Sequence, residues 1–461
     1  MYQYIKQLTP NLISLLFVVV CSSAVADTQT LAQSEGRGLL EIYKLAAEND
    51  ARYQASLANY EATSLAPSIS RARLLPQLSF RANRTKINDE KVRGFRSNDP
   101  DRGDMPRTYD YQSRNMTLSL EQSVFNKKYY VELAQSRSEA QRAQLELQTA
   151  EHDLLQRVVA AYFLVLDSQT QLDFTLAKKE AVERQLEQAR DRFEVGLATI
   201  TDVKEAEASY DLTIADEISD ETELSVNLSK LQIIVDEHVS ALKALSDDAP
   251  IVYPSPQDIN AWVNTSVEQN PQLLAQKLTT NIAEAEIKRQ RSDHFPTLDA
   301  YVRRNENEIM GSNAPSQSTV RGTELGLELQ IPLFSGGETH YRVKQASQLA
   351  LQSREQLEEK HRTIKQQAQE SYLNVLASIS RTQALARAVD SAQSAYEANE
   401  IGFSVGTRSS VDVLLAVEDL YAAKRDHINA RHRYIVDLIN LKKVAGILSE
   451  EDIRQINQWL R

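Results

Sequence analysis

Apolar and polar residues alternate strictly in one segment of the chain and more weakly in three others. In 323–333, apolar side chains occupy every second position, with polar or small ones between them: Leu325, Leu327, Leu329, Ile331 and Leu333 against Glu324, Gly326, Glu328 and Gln330. A period of two is typical of a β-strand with one apolar and one polar face. The weaker examples begin at Leu78, Met116 and Leu298. The pattern predicts two strand pairs, at about 76–125 and 296–334, with polar loops at about 89–107 and 305–320 inside them.

Each strand pair is followed by a run of about 65 residues with almost no glycine or proline, which begins after Phe125 and after Phe334. At a rise of about 1.5 Å per residue, such a helix would be close to 100 Å long. In the first run, apolar residues recur every seventh position, which indicates coiled-coil packing: Leu133, Ala140, Leu147 and Leu154. Gly196 and Gly406 stand where left-handed helix terminators are expected, and a second helix is predicted to return from about 201 and from about 411.

The two halves of the chain repeat one design. Residues 195–203 read VGLATITDV, and residues 405–413 read VGTRSSVDV, about 210 positions later. Other segments match at the same offset, for example AYFLVL at 161–166 and SYLNVL at 371–376. We therefore expect an internal duplication.

This duplication divides the chain into a first repeat at 27–246 and a second at 271–446. The first should contain a helix at about 39–73, ended by Pro76, then the strand pair and a long hairpin at about 127–240. The second should contain a helix at about 271–293, ended by Pro296, then its strand pair and a hairpin at about 338–445. Residues 247–270 are expected to form a linker, and 447–461 a closing equatorial helix.

Residues 1–26 have the features of a secretory signal peptide. A lysine precedes an apolar run from Leu12 to Val20, and the small residues that follow end at Ala26. Cleavage after Ala26 would remove Cys21, the single cysteine, and with it any disulfide or thiolate metal site. A lipid anchor on Cys21 is the alternative, but Val20 is bulky for a lipidation site. After this segment, no stretch has the roughly 18 to 20 apolar residues that a spanning helix needs.

The composition argues against several classes of function. A formal net charge of −12 opposes binding to a nucleic acid backbone. The closest histidines, His427 and His432, lie in a predicted helix at a spacing that does not suit a metal site. The sequence contains no recognisable catalytic triad or phosphate-binding loop, so we expect neither enzymatic activity nor a cofactor.

The number of strands has a consequence for assembly. In a bilayer every backbone polar group needs an internal partner, so strands can cross only as a closed barrel. Bacterial barrels begin at eight strands, which two copies of this chain would supply; three copies would supply twelve. Leu325, Leu327 and Leu329 would then face lipid, with Glu324 and Glu328 toward water. A soluble antiparallel sheet that covers a core is the alternative interpretation.

Five segments, taken together in this order, resemble the TolC family of outer-membrane channel proteins: LLPQL at 74–78, AYFLVL at 161–166, RFEVGLATITDV at 192–203, VKQA at 343–346 and SVGTRSSVDVL at 404–414. The resemblance implies an α+β membrane protein that assembles as a homotrimer. Each protomer would contribute four strands to a twelve-stranded β-barrel in the outer membrane and long helical coiled-coil hairpins to a tunnel through the periplasm.

The resemblance also implies a function and a set of partners. Such proteins are exit ducts of multidrug efflux pumps and type I secretion systems, and they work with a periplasmic adaptor protein and an inner-membrane transporter of the RND, ABC or MFS type. Two other classes are weighed against this one. A periplasmic adaptor would need a compact β-rich module, and a structural coiled-coil protein without a pore would leave the strand pairs unexplained.

Roles at the helix ends also follow from the resemblance. Arg408 matches a cation that holds the periplasmic entrance closed, with Thr201 and Asp202 as its acceptors. Phe403 stands where the family has a tyrosine, so one hydroxyl bond is absent. Asp412 matches an aspartate at the pore constriction.

The tips of the hairpins match the turns at which the adaptor docks, which are formed here by Gly196, Leu197, Gly406 and Thr407. A second family aspartate at the constriction is replaced by Leu415. A purely local interpretation competes with these roles. Thr199-x-x-Asp202 and Ser409-x-x-Asp412 both fit capping boxes at a helix start, and each tip glycine can simply end a helix.

Overall fold

The computed structural model describes residues 36–91, 107–311, 314 and 317–461. The predicted signal peptide at 1–26 and much of the predicted loop at 89–107 lie outside the described residues. In the first half, three short helices precede a strand pair and a long hairpin: α1 Leu39–Asn49, α2 Ala51–Ser64, α3 Ala66–Ala72, β1 Gln77–Lys91, β2 Arg107–Phe125, α4 Lys127–Glu194 and α5 Ile200–Val235.

The second half repeats this order. Its elements are α6 Ile259–Gln269, α7 Pro271–Arg291, β3 Thr297–Met310, β4 Ser318–Gln330, α8 Glu338–Ser404, α9 Ser410–Ala445 and the closing helix α10 Glu450–Asn457. The predicted fold class is confirmed in its parts, because the chain combines two long helical hairpins with four strands in a duplicated arrangement. We call α4 with α5 hairpin 1, and α8 with α9 hairpin 2.

The helix predicted at 39–73 is broken twice, at Asp50 and at Leu65. Asp50 ends α1 and caps α2, since its carboxylate accepts a hydrogen bond from the Tyr53 backbone N–H at 2.7 Å. The same carboxylate accepts hydrogen bonds from both terminal nitrogens of Arg157 on α4, at 2.8 and 2.9 Å. Pro67 lies in the first turn of α3, a position that proline tolerates at a helix start. These breaks let the segment follow the side of α4.

The strands of the second pair extend into the predicted loop at 305–320. β3 runs to Met310, and β4 begins at Ser318. Polar residues in this part of β3 are held by charges on its two neighbours. Arg114 of β2 lies 2.6 Å from Glu308, and Arg321 of β4 lies 3.1 Å from Glu306. The loop was predicted from the polarity of these residues alone. Ion pairs between neighbouring strands instead hold these residues in the β-sheet.

The four strands form one antiparallel sheet in the order β1-β2-β3-β4. Residues that pair directly across antiparallel strands point to the same face. The register pairs Phe80 with Leu118, Leu120 with Val302, and Val302 with Leu325. One apolar face thus crosses all four strands. It is open to solvent in the single chain, since the side chain of Leu325 is 81% exposed and that of Leu327 is 72% exposed.

The opposite face carries charged residues and explains Gly326, one of the two glycines in β4. A Cβ atom at Gly326 would lie 2.6 Å from the ring of Tyr301 on β3. The Arg303 guanidinium lies 4.2 Å from the centre of the Tyr301 ring and 3.1 Å from the carboxylate of Glu121 on β2. Gly326 therefore leaves room for an aromatic side chain that lies across the ladder.

The hairpins are unequal in the lengths of their two helices. α4 has 68 residues and α8 has 67, whereas α5 and α9 have 36 each. At about 1.5 Å per residue the long helices separate the sheet from the hairpin tips by roughly 100 Å. The halves of α4 and α8 nearest the sheet pack against α2, α3 and α7 in place of the return helices. Within the residues that the structure describes, none of the helices combines the length and apolar content that a transmembrane helix requires.

The largest apolar core lies midway along the helices, where α1, α6 and α10 pack around both hairpins. Tyr162 of α4 is fully buried there, and its hydroxyl donates to the backbone carbonyl of Lys243 at 2.7 Å. Burial raises the pKa of Tyr162, so the phenol stays neutral. This core fixes how the two hairpins leave the body of the protein.

We expect Asp50→Ala to lower the thermal stability of the purified protein. The change removes a helix cap and leaves Arg157 without its buried acceptor, a loss on the order of 3 kcal/mol. The hydrogen bonds from Arg157 lower the pKa of Asp50, so the stabilisation is present above the ordinary carboxyl pKa and is lost as the pH falls through the lowered value. Circular dichroism at 222 nm during heating in detergent measures the midpoint.

Glu41→Ala is the matched control, because its pair with Arg37 at 3.5 Å is exposed and should contribute less than about 1 kcal/mol. Equal midpoints for the two variants would contradict a structural role for the Asp50–Arg157 pair.

Candidate functional site at the hairpin tips

Both hairpins turn with the same backbone. In hairpin 1, Gly196 has a φ of +74°, its N–H donates to the Phe193 carbonyl at 3.0 Å, and the Leu197 N–H donates to the Arg192 carbonyl at 2.7 Å. In hairpin 2, Gly406 has a φ of +78°, and the corresponding bonds measure 3.1 and 2.8 Å. This pair of bonds is the Schellman motif, which requires a left-handed residue. Nothing lies within 4 Å of a Cβ atom built at either glycine, so the backbone conformation alone explains them.

Both return helices also begin with the same cap. The Thr199 hydroxyl accepts from the Asp202 N–H at 3.2 Å, while the Asp202 carboxylate accepts from the Thr199 N–H at 2.7 Å. Ser409 and Asp412 form the equivalent bonds at 3.2 and 2.9 Å. Both segments are therefore capping boxes, as the local interpretation of the sequence holds.

The two tips differ at two matching positions. At each of them one hairpin has an arginine and the other hairpin has a small residue. Hairpin 1 has Arg192 before its turn and Ala198 after it. Hairpin 2 has Gly402 and Arg408 at the matching places. Each tip therefore carries one arginine, but the two arginines start from opposite sides of the turn.

Arg408 lies back on its own hairpin. A Cβ atom added to Gly402 would come within 2.7 Å of the Arg408 Cγ, so the aliphatic part of this arginine covers the glycine. The Arg408 N–H also donates to the Gly402 carbonyl at 3.2 Å. Glycine inside a helix costs about 1 kcal/mol relative to alanine, and the close packing of Arg408 supplies a reason for it here.

Arg192 extends across to the other hairpin. Its guanidinium carbon lies 4.6 Å from the centre of the Phe403 ring, within the range of a cation–π contact. Phe403 is partly buried and packs against a small apolar cluster formed by Ala181 of α4 with Val413 and Val417 of α9. The side chain at Phe403 therefore connects the last turn of α4 with the last turn of α8.

A second connection between the hairpins lies farther from the tip. Lys178 of α4 is placed 3.1 Å from Glu418 on α9 and 3.7 Å from Asp216 on α5. Both carboxylates are largely exposed, so each pair contributes little by itself, about 0 to 1 kcal/mol. A cleft of about 430 Å³ opens beside this lysine and includes Asp220 and Arg425.

The structure places the predicted entrance residues at the tips but does not join them within one chain. Thr201 and Arg408 are exposed, whereas Asp202 is half-buried and occupied by its cap. In the part of the chain that the structure describes, Arg408 forms no ion pair. The pairing of Arg408 with Thr201 and Asp202 stays a prediction, as does the place of Asp412 in a constriction.

Local contacts set the charge state of Asp412. Hydrogen bonds from the Ser409 N–H and hydroxyl, with a smaller effect from the positive charge of Arg408, lower the pKa of the Asp412 carboxyl. Asp412 is therefore an anion at neutral pH, with its side chain directed by the cap at the start of α9.

Sequence reasoning missed two residues of this site, Arg192 and Gly402. A glycine four residues before the turn, in an otherwise glycine-free helix, was the available signal for Gly402. No comparable signal identifies Arg192, because its partner Phe403 is 211 positions away (403 − 192).

One of the two histidines considered in the sequence, His432, has a structural place in the middle of the molecule. His432 is buried, with Nδ1 2.6 Å from the Asp167 carboxylate and its ring 5.1 Å from that of Phe163. Across the described ranges, no group of three or more His, Cys, Asp or Glu side chains is arranged to hold a metal ion.

Comparison with known proteins identifies the family. The family model described as outer membrane efflux protein matches residues 42–235 and 262–447, one segment in each half of the duplication. The chain belongs to the outer membrane efflux protein family. Members of this family are outer-membrane channels and do not form an enzyme family, so this chain is an outer-membrane exit duct with its helices in the periplasm.

Relatives within the outer membrane efflux protein family match nearly the whole chain. The outer membrane protein TolC of Vibrio cholerae is 33% identical over 448 residues, covering 97% of this chain and 98% of that protein. The alkaline protease secretion protein AprF of Pseudomonas aeruginosa is 28% identical over 91% of this chain and 86% of its own length. The CmeC outer membrane channel of Campylobacter jejuni has a similar structure, with a TM-score of 0.74 over 98% of both chains at 14% identity.

Proposed function

We propose that three copies of this chain form one continuous duct, with a twelve-stranded barrel in the outer membrane and a helical tunnel below it. The duct would carry small toxic compounds from efflux pumps, secreted polypeptides from type I systems, or both. The family description names efflux, which supports the first kind of cargo, and the relative AprF is named for alkaline protease secretion, which supports the second. A passive tube leaves cargo selection and energy to its partners.

The open sheet is the observation that carries this proposal. β1 and β4 each have one edge without a partner strand among the described residues, and the apolar face of the sheet is exposed. Unpaired backbone groups and an apolar face are both unfavourable in water. Lipid would cover the apolar face, and β1 of one copy pairing with β4 of the next would satisfy both edges.

The helices support the same arrangement. Within the chain α4 packs against α5 and α9, and α9 packs against α8, so α5 and α8 lie at the two sides of the helical layer. Large apolar side chains are exposed on these outer helices: Leu212, Ile218, Val226 and Ile233 on α5, and Leu373 and Ile401 on α8. A neighbouring copy would cover them, which favours a ring of hairpins over an isolated chain.

The entrance of this duct would lie at the hairpin tips. Arg408 is exposed, so in the assembled ring its guanidinium group could donate hydrogen bonds to Thr201 and Asp202 at the tip of a hairpin 1. The cap uses Oδ2 of Asp202, which leaves Oδ1 to accept from an arginine. Exposed ion pairs are worth about 0 to 1 kcal/mol each, so a few repeated by symmetry form a gate that a partner can open.

The partners would be a periplasmic adaptor and an inner-membrane transporter of the RND, ABC or MFS type. The exposed turns at Gly196, Leu197, Gly406 and Thr407 are the proposed adaptor contacts. Leu197 is 71% exposed, and an apolar side chain this open at a chain reversal suits a docking surface.

We expect the purified full-length protein to be a detergent-dependent trimer that forms ion channels in planar lipid bilayers. Light scattering coupled to size-exclusion chromatography gives the mass of the protein, and single-channel recording tests conduction. A folded monomer that stays in solution without detergent would contradict the proposal.

Arg408→Ser should raise the single-channel conductance several-fold, because it removes a cation that holds the entrance closed. Arg408→Lys is the matched control and should stay closer to wild type, since it keeps the charge. Normal trimers with unchanged conductance in the serine variant would remove Arg408 from the gate.

Asp412→Asn should weaken the block of the channel by multivalent cations about tenfold, the equivalent of 1.4 kcal/mol. Asparagine keeps an oxygen for the cap at Ser409 but removes the charge that three copies would place around a constriction. Cation block of equal affinity in wild type and Asp412→Asn, measured by titration across a bilayer, would exclude Asp412 from the narrowest part of the pore.

A further inference from the structure

The apolar face of the sheet ends before the strands do. Alternate residues of a strand share a face, so the register follows this face outward from the helices. On β3 and β4 its first three residue pairs are apolar and its next three are polar or charged: Leu298–Leu329, Ala300–Leu327 and Val302–Leu325, then Arg304–Thr323, Glu306–Arg321 and Glu308–Thr319. The change from apolar to charged residues occurs within the paired strands.

The position of this change can be compared with the thickness of a membrane. Arg321 lies eight positions from Leu329 (329 − 321). Eight residues extend about 27 Å along a strand, and a tilt of about 40° reduces this to roughly 20 Å of depth. The apolar band of a bacterial barrel is about 25 Å tall. The charged residues therefore begin close to the outer limit of the hydrocarbon layer.

Positive charge predominates on this outer part of the face. Five cations lie there, and we call them the cation belt: Arg84, Lys86, Arg114, Arg304 and Arg321. Three carboxylates share the same region among the described side chains: Asp110, Glu306 and Glu308. These side chains carry a net charge of two positive, whereas the whole chain has a formal net charge of −12. The charge of this region is thus opposite to that of the protein as a whole.

The other face of the sheet is nearly neutral at the same height. Within the described residues, Arg81 is the one cation there, and its neighbours are mostly amides and hydroxyls such as Asn115 and Asn305. In a barrel, polar residues normally face the interior and apolar residues face lipid. Here the charges lie on the side that would face lipid, which calls for an anionic partner on that side.

Two arginines of the cation belt have charges that the sheet does not balance. Arg84 lies directly opposite Arg114 in the register, and like charges in this position destabilise a sheet. Arg114 is compensated by Glu308 at 2.6 Å, but the Nε of Arg84 donates to the neutral side chain of Gln112 at 3.0 Å. Arg304 donates to a threonine hydroxyl on β4 at 2.7 Å. Across the described strands, neither Arg84 nor Arg304 has a carboxylate within 4.0 Å.

The depth of the cation belt indicates which anion is available. A cation on the lipid side of a barrel is costly at the middle of the bilayer and nearly neutral at the depth of the headgroups. The helices lie in the periplasm, so the far ends of the strands point to the outer leaflet. The glycolipid of that leaflet carries phosphate groups, and arginine binds phosphate through two parallel N–H bonds.

We propose that the cation belt binds the phosphate groups of lipid A, the glycolipid of the outer leaflet. This inference rests on the proposed barrel and adds a specific lipid to its outer wall. Arg84 and Arg304 would make the main contacts, because their charges are not balanced within the sheet. A phosphate bound between Arg84 and Arg114 would also offset the repulsion between them. The belt would fix the depth of the barrel in the membrane.

Native mass spectrometry of the full-length trimer in detergent tests this inference with two lipids that differ only in phosphate. Diphosphoryl lipid A should bind on the order of tenfold more tightly than the same lipid with both phosphates removed, since a cation near an anionic surface contributes about fivefold. Inorganic phosphate at millimolar concentration should leave lipid binding unchanged. Displacement of the lipid by inorganic phosphate would indicate a site for the free anion and would overturn the assignment to lipid.

Variants on the two faces of β1 test the residues. Arg84→Gln should weaken the binding of diphosphoryl lipid A about fivefold, and Arg304→Gln on β3 should do the same. Arg81→Gln is the matched control, because it removes a cation from the same strand but from the opposite face, and it should bind like wild type. A loss in Arg81→Gln as large as that in Arg84→Gln would overturn the inference.

The comparison of the two lipids on the wild-type trimer decides the question even if a variant does not assemble. A conducting trimer that binds both lipids with equal affinity would overturn the lipid site alone. A wild-type protein that forms neither trimers nor channels would instead overturn the proposed function, and the inference with it.

Discussion

The structure depends on a sheet that one chain leaves unfinished. In the part of the chain that the structure describes, four strands give a continuous apolar face and two open edges, and the helices, which lie beyond the ends of the strands, cover neither. The opposite face carries polar residues such as Glu121 and Arg303. A barrel wall between lipid and water needs this combination of one apolar and one polar face. The proposed assembly would cover this face and these edges, and the remaining elements project from the sheet.

The long helices extend roughly 100 Å from the sheet. The packing between them becomes weaker toward the tips. The middle is fixed by a large core, by the buried Tyr162 and by the pair of Asp50 with Arg157. Near the turns, small apolar clusters, capping boxes and a few exposed charges hold the helices together. Motion at low free-energy cost is thus expected at the tips, which is where the proposed entrance lies.

Duplication supplied two equal tips, and a few substitutions gave them different chemistry. The turns and the helix caps are the same in both hairpins, because they depend on Gly196 and Gly406 and on two short hydroxyl–carboxylate pairs. The exchange of Arg192 for Gly402 and of Ala198 for Arg408 changes only side chains. As a result, Arg192 contacts Phe403 of the other hairpin, whereas Arg408 covers Gly402 of its own hairpin.

The sequence by itself determined what depends on neighbouring residues: the strand period at Leu325 to Leu329, the long helices, the glycine turns and the capping boxes. These features follow from local backbone geometry, so a pattern of a few residues specifies them. Tertiary structure decided the breaks at Asp50 and Leu65, the extension of β3 to Met310 and the meeting of Arg192 with Phe403. Each of these depends on partners that are distant along the chain, such as Arg157 for Asp50, and only the packed helices and the paired strands bring them within reach.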